Sequence, residues 1–186
     1  LQLLYVSNNL LSGTIPSSMG QLAAMEQLYL HSNLFNVTIP EEIGQLSAMR
    51  VLYFSSNLLT GSIPAVLGQL TDLRRLFFHR NMLTGTLPAE LGALGKLEER
   101  HFSDNLFTGA IPSWLRHLTL LEILYLHSNH LTGSILSEIG QLHALKILSL
   151  YSNELTSSIP EAVGQLTALE IFYLSINQLT GTVPTA

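Results

Sequence analysis

The chain has 186 residues, 47% of them hydrophobic and 11% charged, and its formal net charge is −5. This acidic balance, without any basic run, argues against a nucleic-acid partner. No uninterrupted apolar stretch approaches the roughly 18 residues of a membrane span, so the sequence predicts none. The chain contains no cysteine, which excludes metal sites built on thiolates.

A repeat of 24 residues runs through the whole chain. It is marked by an asparagine at every 24th position: Asn9, Asn33, Asn57, Asn81, Asn105, Asn129, Asn153 and Asn177. The unit reads L-x-x-L-x-L-x-x-N-x-L-x-G-x-I-P-x-x-L-G-x-L-x-x, and coils 1 to 8 begin at residues 1, 25, 49, 73, 97, 121, 145 and 169. One unit cannot bury its apolar face alone, so the coils must stack into a solenoid.

Each coil begins with the alternation of a short strand. In coil 2, Leu28 and Leu30 are predicted to face the interior, and Tyr29 and His31 the solvent. Stacked coils would place these strands in a parallel sheet, about 4.8 Å apart. The asparagine amide that follows is predicted to donate and accept hydrogen bonds to backbone groups of the turn, which would otherwise be buried and unsatisfied.

The second half of each coil carries glycine and proline. Glycines allow tight backbone at Gly13, Gly61, Gly85, Gly109, Gly133 and Gly181. Prolines fix φ on the far side, and segments such as 16–22 are predicted to form short helical turns. Four departures from the unit predict local distortion without a domain boundary: Val37, Arg116 and Ser157 for Gly, and Leu136 for Pro.

The unit resembles the plant-type leucine-rich repeat of receptor-kinase ectodomains and polygalacturonase-inhibiting proteins, and the resemblance covers the whole chain. It implies an α/β repeat solenoid: a right-handed superhelix with a parallel β-sheet on the concave face and short helical turns on the convex side. We expect one domain over residues 1–186, with about eight repeats. Extracellular members usually carry cysteine-bearing caps, so we expect both ends to be covered by further chain or a neighbouring subunit.

The outward residues of the strands form the candidate binding surface. Four residues before each repeat asparagine stand Tyr5, Tyr29, Tyr53, Phe77, His101, Tyr125, Ser149 and Tyr173. Two residues before it stand Ser7, His31, Ser55, His79, Ser103, His127, Tyr151 and Ser175. Tyrosine suits interfaces because its ring is large and stiff and its tip is polar. The alternative is that the rings merely stiffen the sheet by cross-strand stacking.

Charges interrupt this surface in coils 4 and 5. Two pairs occupy matching repeat positions: Arg75 with Glu99, and Arg80 with Asp104. Each pair is predicted to be laterally adjacent, with His79 and His101 between the pairs. They form either two exposed salt bridges or a polar centre for binding.

Arg100 stands at an inward leucine position, where an unpaired charge would be costly. We expect Glu98 or Glu99 to neutralise it, or the strand to bulge and release it to solvent.

Catalytic and metal chemistry find little support. His31, His79 and His127 recur in alternate coils, roughly 9–10 Å apart, so no metal site is predicted. Serine and histidine recur because the repeat supplies them, and glycine-rich phosphate loops are missing, so neither an enzyme nor a cofactor is predicted.

Two minor signals lie in the second half of the coil. Threonine recurs three and five residues after the asparagine, as in Thr84-Gly85-Thr86, and regular threonine ladders can bind ice. Asn36-Val37-Thr38 is a sequon that makes Asn36 a glycosylation candidate.

These features predict a recognition module whose concave face binds a protein or peptide. The resemblance to plant receptors implies an extracellular or cell-surface location. The competing interpretation is a structural accessory subunit within a larger assembly, such as an organellar complex, and ice binding is a weaker alternative.

Overall fold

The computed structural model describes residues 1–184 as a stack of eight coils. The first strand of each coil joins one parallel sheet in chain order: Leu3–Tyr5, Gln27–Tyr29, Val51–Tyr53, Arg75–Phe77, Glu99–His101, Ile123–Tyr125, Ile147–Ser149 and Ile171–Tyr173. Neighbouring strands pair residues 24 apart, as Leu28 pairs with Leu52. This concave sheet and its register confirm the prediction from the repeat.

Seven short helices lie on the opposite side of the coils: Ser17–Gln21, Glu41–Gln45, Ala65–Gln69, Ala89–Ala93, Ser113–His117, Ser137–Gln141 and Glu161–Gln165. The predicted helical turns are therefore confirmed, but every one is a 3₁₀ helix, and residues 1–184 contain no α-helix. Leu136 precedes its helix with a φ of −74°, close to the −73° of Pro112. The helix that contains Arg116 keeps the usual five residues. The distortion predicted at Leu136 is therefore wrong. Beside Arg116 a small distortion is present, because Leu118, which closes this helix, has a φ of −94°, whereas the corresponding leucines of the other helices lie between −77° and −84°.

A second set of strands, which the sequence analysis did not predict, joins the two sides. Coils 1 and 2 contribute Ser12–Gly13 and Leu34–Phe35, and coils 3 to 7 contribute Thr60–Gly61, Met82–Gly85, Leu106–Ala110, His130–Gly133 and Glu154–Leu155. These strands pair residues 22 apart, as Thr60 pairs with Met82 and Thr108 with His130. We call this surface the lateral sheet. Each coil on it is thus shifted by two residues relative to its neighbour.

The lateral sheet is interrupted at coil 2, where a single bridge from Thr38 to Thr60 replaces a strand pair. The six glycines of this repeat position have φ between 73° and 82°. Val37 does not adopt that conformation, since a β-branched residue is strongly disfavoured there. Ser157 does adopt it, with φ of 67°. The predicted local distortion is therefore confirmed at Val37, whereas Ser157 keeps the backbone conformation of the glycines and the distortion predicted there is wrong.

The interior is a column of aliphatic and phenylalanine side chains, bordered by the asparagines. Asn81 is typical: its Nδ2 donates to the carbonyls of Phe54 at 3.1 Å and Phe78 at 3.0 Å, and its Oδ1 accepts from the backbone N–H of Leu59 at 3.0 Å. One amide therefore joins two consecutive coils. The predicted role of the asparagine is confirmed.

Candidate functional site

The outward side chains of the concave sheet form one continuous layer of rings, the concave floor. It begins with Tyr5 and Tyr29, whose centroids are 5.0 Å apart, and continues through Tyr53 to Phe77 at 4.6 Å. Phe77 then contacts His101 at 6.4 Å. The predicted aromatic residues are thus adjacent from coil 1 to coil 5.

The floor continues past Ser149, which has no ring at the position four residues before the repeat asparagine. His101 contacts Tyr125 at 4.4 Å. His127 then stacks on Tyr151 at 4.3 Å with an interplanar angle of 10°, and Tyr151 contacts Tyr173 at 6.4 Å. At coil 7 the layer therefore uses the outward position two residues before the repeat asparagine, which is Tyr151, instead of the position four residues before it. Ser149 is buried.

Histidines at alternate coils fill the space between strands. His31 packs on Tyr53 of the next coil at 4.3 Å, and His79 packs on His101 at 3.8 Å. His101 also lies 6.1 Å from His127, so these three imidazoles form a chain across coils 4, 5 and 6. The repeat places His79 and His101 in neighbouring coils, but strand spacing alone did not predict the diagonal ring contacts through His101.

Burial controls the protonation of these rings. It lowers the pKa of His79 to about 4, an effect that Arg80 reinforces and Asp104 opposes. Burial, followed by the charges of the neighbouring histidines, lowers the pKa of His101 to about 3. At neutral pH the floor is therefore lined by uncharged imidazoles that can donate and accept hydrogen bonds.

The two predicted charge pairs behave differently. Arg75 Nε lies 3.3 Å from Glu99 Oε1, so the first pair is formed. Arg80 and Asp104 form no ion pair in the described chain, so the salt-bridge alternative is wrong for this pair. Their turns are laterally adjacent, as predicted, because the backbone N–H of Asn81 donates to the carbonyl of Asp104 at 3.2 Å. Asp104 Oδ2 instead accepts a hydrogen bond from Ser103 Oγ at 3.1 Å. Arg80 and Asp104 have φ of 55° and 53°, a turn geometry in which matching repeat positions do not bring side chains together as they do on flat strands.

Five further ion pairs of the described chain join residues 24 apart, among them Lys96 with Asp72 and His130 with Glu154. The other three stand directly before the concave strands. They join Arg50 to Glu26 at 3.6 Å, Arg74 to Glu98 at 2.6 Å and Lys146 to Glu122 at 2.7 Å. These pairs were not predicted, although the 24-residue spacing of their opposite charges is sufficient to find them. They are exposed, so each contributes about 0–1 kcal/mol.

Arg100 is fully buried, and both explanations offered for it are wrong. Glu98 and Glu99 pair with other arginines, and the strand Glu99–His101 keeps its register. The guanidinium crosses the interior, donates from Nη2 to the carbonyl of Leu91 at 2.9 Å and lies 5.0 Å from the ring centroid of Trp114. Its Nε and Nη1 have no partner, and burial lowers its pKa to about 9. The charge is thus held by one carbonyl and one π face.

The lateral sheet presents a second, chemically different surface. All outward residues of this sheet in coils 1 to 5 are uncharged. The 22-residue register places unlike repeat positions side by side, in rows such as Thr38, Thr60 and Met82. Threonines of the same repeat position are therefore diagonal neighbours, about 7–8 Å apart. The simple threonine ladder inferred from the repeat is wrong, and lateral hydroxyl pairs such as Thr38–Thr60 replace it.

Asn36 lies on the outer side of this surface beside the interruption, and both Asn36 and Thr38 are exposed. Its glycosylation stays a prediction. Among residues 1–184, no group of three acidic or histidine side chains is placed to hold a metal ion. No helix in this part of the chain is long and apolar enough to cross a membrane.

Comparisons with known proteins agree with this geometry. The family model described as Leucine Rich Repeat matches residues 1–22, 48–70, 120–142 and 144–166. No curated protein sequence matches the chain. The ectodomain of the Arabidopsis thaliana receptor kinase GASSHO1/SCHENGEN3, in complex with CASPARIAN STRIP INTEGRITY FACTOR 2, is 35% identical, with a TM-score of 0.94 over 96% of this chain and 22% of that one.

Two further structures are informative. The Arabidopsis receptor kinase HAESA ectodomain, bound to an extended IDA peptide hormone, is 34% identical, with a TM-score of 0.91 over 97% of this chain and 30% of its own. A plant ice-binding protein is 25% identical, with a TM-score of 0.73 over 98% of this chain and 74% of its own. The chain thus spans 22% and 30% of the two receptor ectodomains.

The stacked coils, the asparagine ladder and the family match define a leucine-rich-repeat solenoid. In sequence and structure the chain is similar to plant-type leucine-rich-repeat ectodomains. The two receptor ectodomains were solved with a bound factor or peptide hormone.

Proposed function

We propose that the segment recognises a protein or peptide through its concave floor. The observation that carries the proposal is the unbroken layer of rings from Tyr5 to Tyr173. Rings fixed by their neighbours lose little conformational entropy on binding, while tyrosine hydroxyls remain to form hydrogen bonds. The receptor ectodomains that resemble this chain were solved with a bound factor or peptide hormone, which supports the same ligand class here.

The proposed binding residues are those of the floor and its charged centre: Tyr5, Tyr29, His31, Tyr53, Arg75, Phe77, His79, Arg80, Glu99, His101, Asp104, Tyr125, His127, Tyr151 and Tyr173. The similar structures are ectodomains of receptor kinases, which supports an extracellular or cell-surface location for this segment as well. A structural accessory role would instead place contacts at the ends or the helical side.

The experiment is a selection of displayed random peptides on the intact chain, followed by affinity measurements on two triple variants. Tyr29→Ala, Tyr53→Ala and Phe77→Ala alter the floor, whereas Thr60→Ala, Thr84→Ala and Thr108→Ala alter the lateral sheet. Truncating one central aromatic contact costs about 2 kcal/mol, or about 30-fold in affinity, so the floor variant should lose binding. Equal affinity for both variants, with unchanged circular dichroism, would refute the concave floor as the site.

A second candidate is ice binding by the lateral sheet. The observation that favours it is the uncharged outer face of coils 1 to 5, with hydroxyl pairs such as Thr38–Thr60 beside apolar side chains such as Met82. The similarity to a plant ice-binding protein supports it further.

Ice-recrystallisation and thermal-hysteresis assays test this candidate. The intact chain should inhibit ice growth, and Thr60→Tyr with Thr84→Tyr should abolish the inhibition by roughening the face. The floor variant Tyr29→Ala/Tyr53→Ala/Phe77→Ala is the control and should keep it. Inactivity of the intact chain, or equal activity of both variants, excludes the lateral sheet as an ice-binding face.

A further inference from the structure

The three imidazoles of His79, His101 and His127 form what we call the histidine cluster, at the centre of the concave floor. The rings of His79 and His101 are 3.8 Å apart at an interplanar angle of 61°, and His127 lies 6.1 Å from His101. His79 Nδ1 is buried without a hydrogen-bond partner. The ring packing is therefore compatible with uncharged imidazoles and leaves little room for water around an added charge.

The surroundings of the cluster do not balance three positive charges. Arg80 adds a cation on one side, and Asp104 is the carboxylate that acts on His79 and His127. Asp104 already accepts a hydrogen bond from Ser103. Glu99, on the other edge of the same strand, is paired with Arg75. The remaining neighbours are uncharged. Two are hydroxyls, of Ser103 at 3.4 Å from His101 Nε2 and of Ser128 at 3.3 Å from His127 Nδ1. The others are the rings of Tyr53, Phe77, Tyr125, Tyr151 and, two coils away, His31.

Protonation of His79, His101 and His127 would therefore place positively charged rings next to each other in coils 4, 5 and 6. Cations this close repel strongly when they are partly removed from water. The rings can relieve the repulsion only by turning outward, because the backbone beneath them is fixed by the sheet and by the amides of Asn81 and Asn105. Turning outward breaks the continuous layer of rings.

We propose that the histidine cluster is a proton-operated control of the concave floor, whose rings separate in acid and release the bound partner. Its effect on a partner rests on the proposed recognition function, whereas ring separation is a property of the free domain. Burial keeps the pKa of His79 near 4 and that of His101 near 3, so the control acts between about pH 5 and 3.

The first arm of the experiment uses the free chain. The titration of each imidazole is followed by nuclear magnetic resonance, and near-ultraviolet circular dichroism reports the tyrosine layer. We expect His79 and His101 to titrate together in acid, with a near-ultraviolet change and an unchanged far-ultraviolet spectrum. The double variant His79→Ser/His101→Tyr carries the residues that most other coils have at these positions, and it should lose the near-ultraviolet change. His143→Gln, an exposed histidine on another surface, is the matched control and should keep it.

The second arm uses a peptide selected on the concave floor at neutral pH. Its affinity for the intact chain and for His143→Gln should fall at least tenfold between about pH 7 and about pH 3, where His79 is largely protonated. For the double variant the change should be below twofold. A near-ultraviolet change that persists in the double variant overturns the proposal, as does an affinity loss that persists there. Failure to obtain a floor-binding peptide contradicts the recognition function, while the first arm still decides whether the rings separate.

Discussion

Coils 3 and 5 share the path of their concave strand, turn and helix but differ strongly in their side chains. Both place a three-residue strand in the concave sheet, both place a left-handed residue before the asparagine, and both end in a five-residue 3₁₀ helix. Coil 3 follows the repeat, with Leu52 inside and Tyr53 on the floor. Coil 5 has Arg100 inside and His101 on the floor. The shared backbone teaches that the hydrogen bonds of the ladder, and not the interior side chains, set the path of the chain.

Moving the buried arginine into coil 3 tests this comparison most severely. Leu52→Arg would bury a charge with no π face, because Val66 stands where coil 5 has Trp114. We expect a loss of about 3–5 kcal/mol in the free energy of unfolding, as for other uncompensated buried charges. Adding Val66→Trp should restore about 1 kcal/mol through a cation–π contact. Chemical denaturation measures both, with Leu52→Met as the control; no loss in Leu52→Arg would mean that any coil can hold the charge.

Removing the ladder amide should affect both coils alike. Asn57 and Asn105 are buried and make equivalent hydrogen bonds, so alanine at either should cost about 1–3 kcal/mol by leaving backbone groups unsatisfied. Asn9→Ala is the control: this amide is exposed and bonds only to its own coil, so the loss should be smaller. Thermal or chemical unfolding checks the order, and a much smaller loss in coil 5 than in coil 3 would contradict the shared ladder.

Restoring an apolar side chain in coil 5 should stabilise the chain. Arg100→Met keeps an unbranched side chain and removes the two unsatisfied nitrogens, so the free energy of unfolding should rise by about 1–2 kcal/mol. Leu76→Met at the same position of coil 4 is the control and should cost less than about 1.5 kcal/mol. If Arg100→Met is less stable than the natural chain, the carbonyl and Trp114 more than compensate for the buried charge.

The smallest expected change in stability concerns the glycine of positive φ that coils 3 and 5 share and coil 7 lacks. Gly61 and Gly109 have positive φ, whereas Ser157 is forced into the same conformation at 67°. Ser157→Gly should stabilise by about 0.5 kcal/mol, because relief of strain exceeds the added freedom of the unfolded chain. Val37→Gly, where φ is not positive, should give no gain. A melting temperature that rises in Val37→Gly but not in Ser157→Gly would contradict this account.

The fold could be predicted because the period of 24 residues fixes both the strands and their neighbours. The pairing of Arg75 with Glu99 and the inward amide of Asn81 follow from that period alone. The lateral sheet could not be predicted in this way. Its strands contain glycine, which is typical of turns, and its register differs from the repeat length.

The site was only partly predictable for a related reason. Which residues face outward follows from alternation, but contacts between the two outward columns, such as His79 with His101, depend on side-chain conformations. Arg100 shows the same limit, because its partner Trp114 lies on the helical side of the coil, outside any strand pattern.

The two registers also determine how the protein can change in length. On the concave sheet a row of neighbours takes one residue from each coil at the same repeat position. On the lateral sheet a short row, such as Ala110, Thr132 and Glu154, takes different positions from three successive coils. Deleting one coil would therefore remove one strand of the concave floor, and the remaining strands would still pair residues of the same repeat position. On the lateral sheet the same deletion would create new rows across the junction. Gain or loss of a whole coil would thus shorten or extend the concave floor without changing which repeat positions are neighbours there. On the lateral sheet each such change would bring new residues together across the junction.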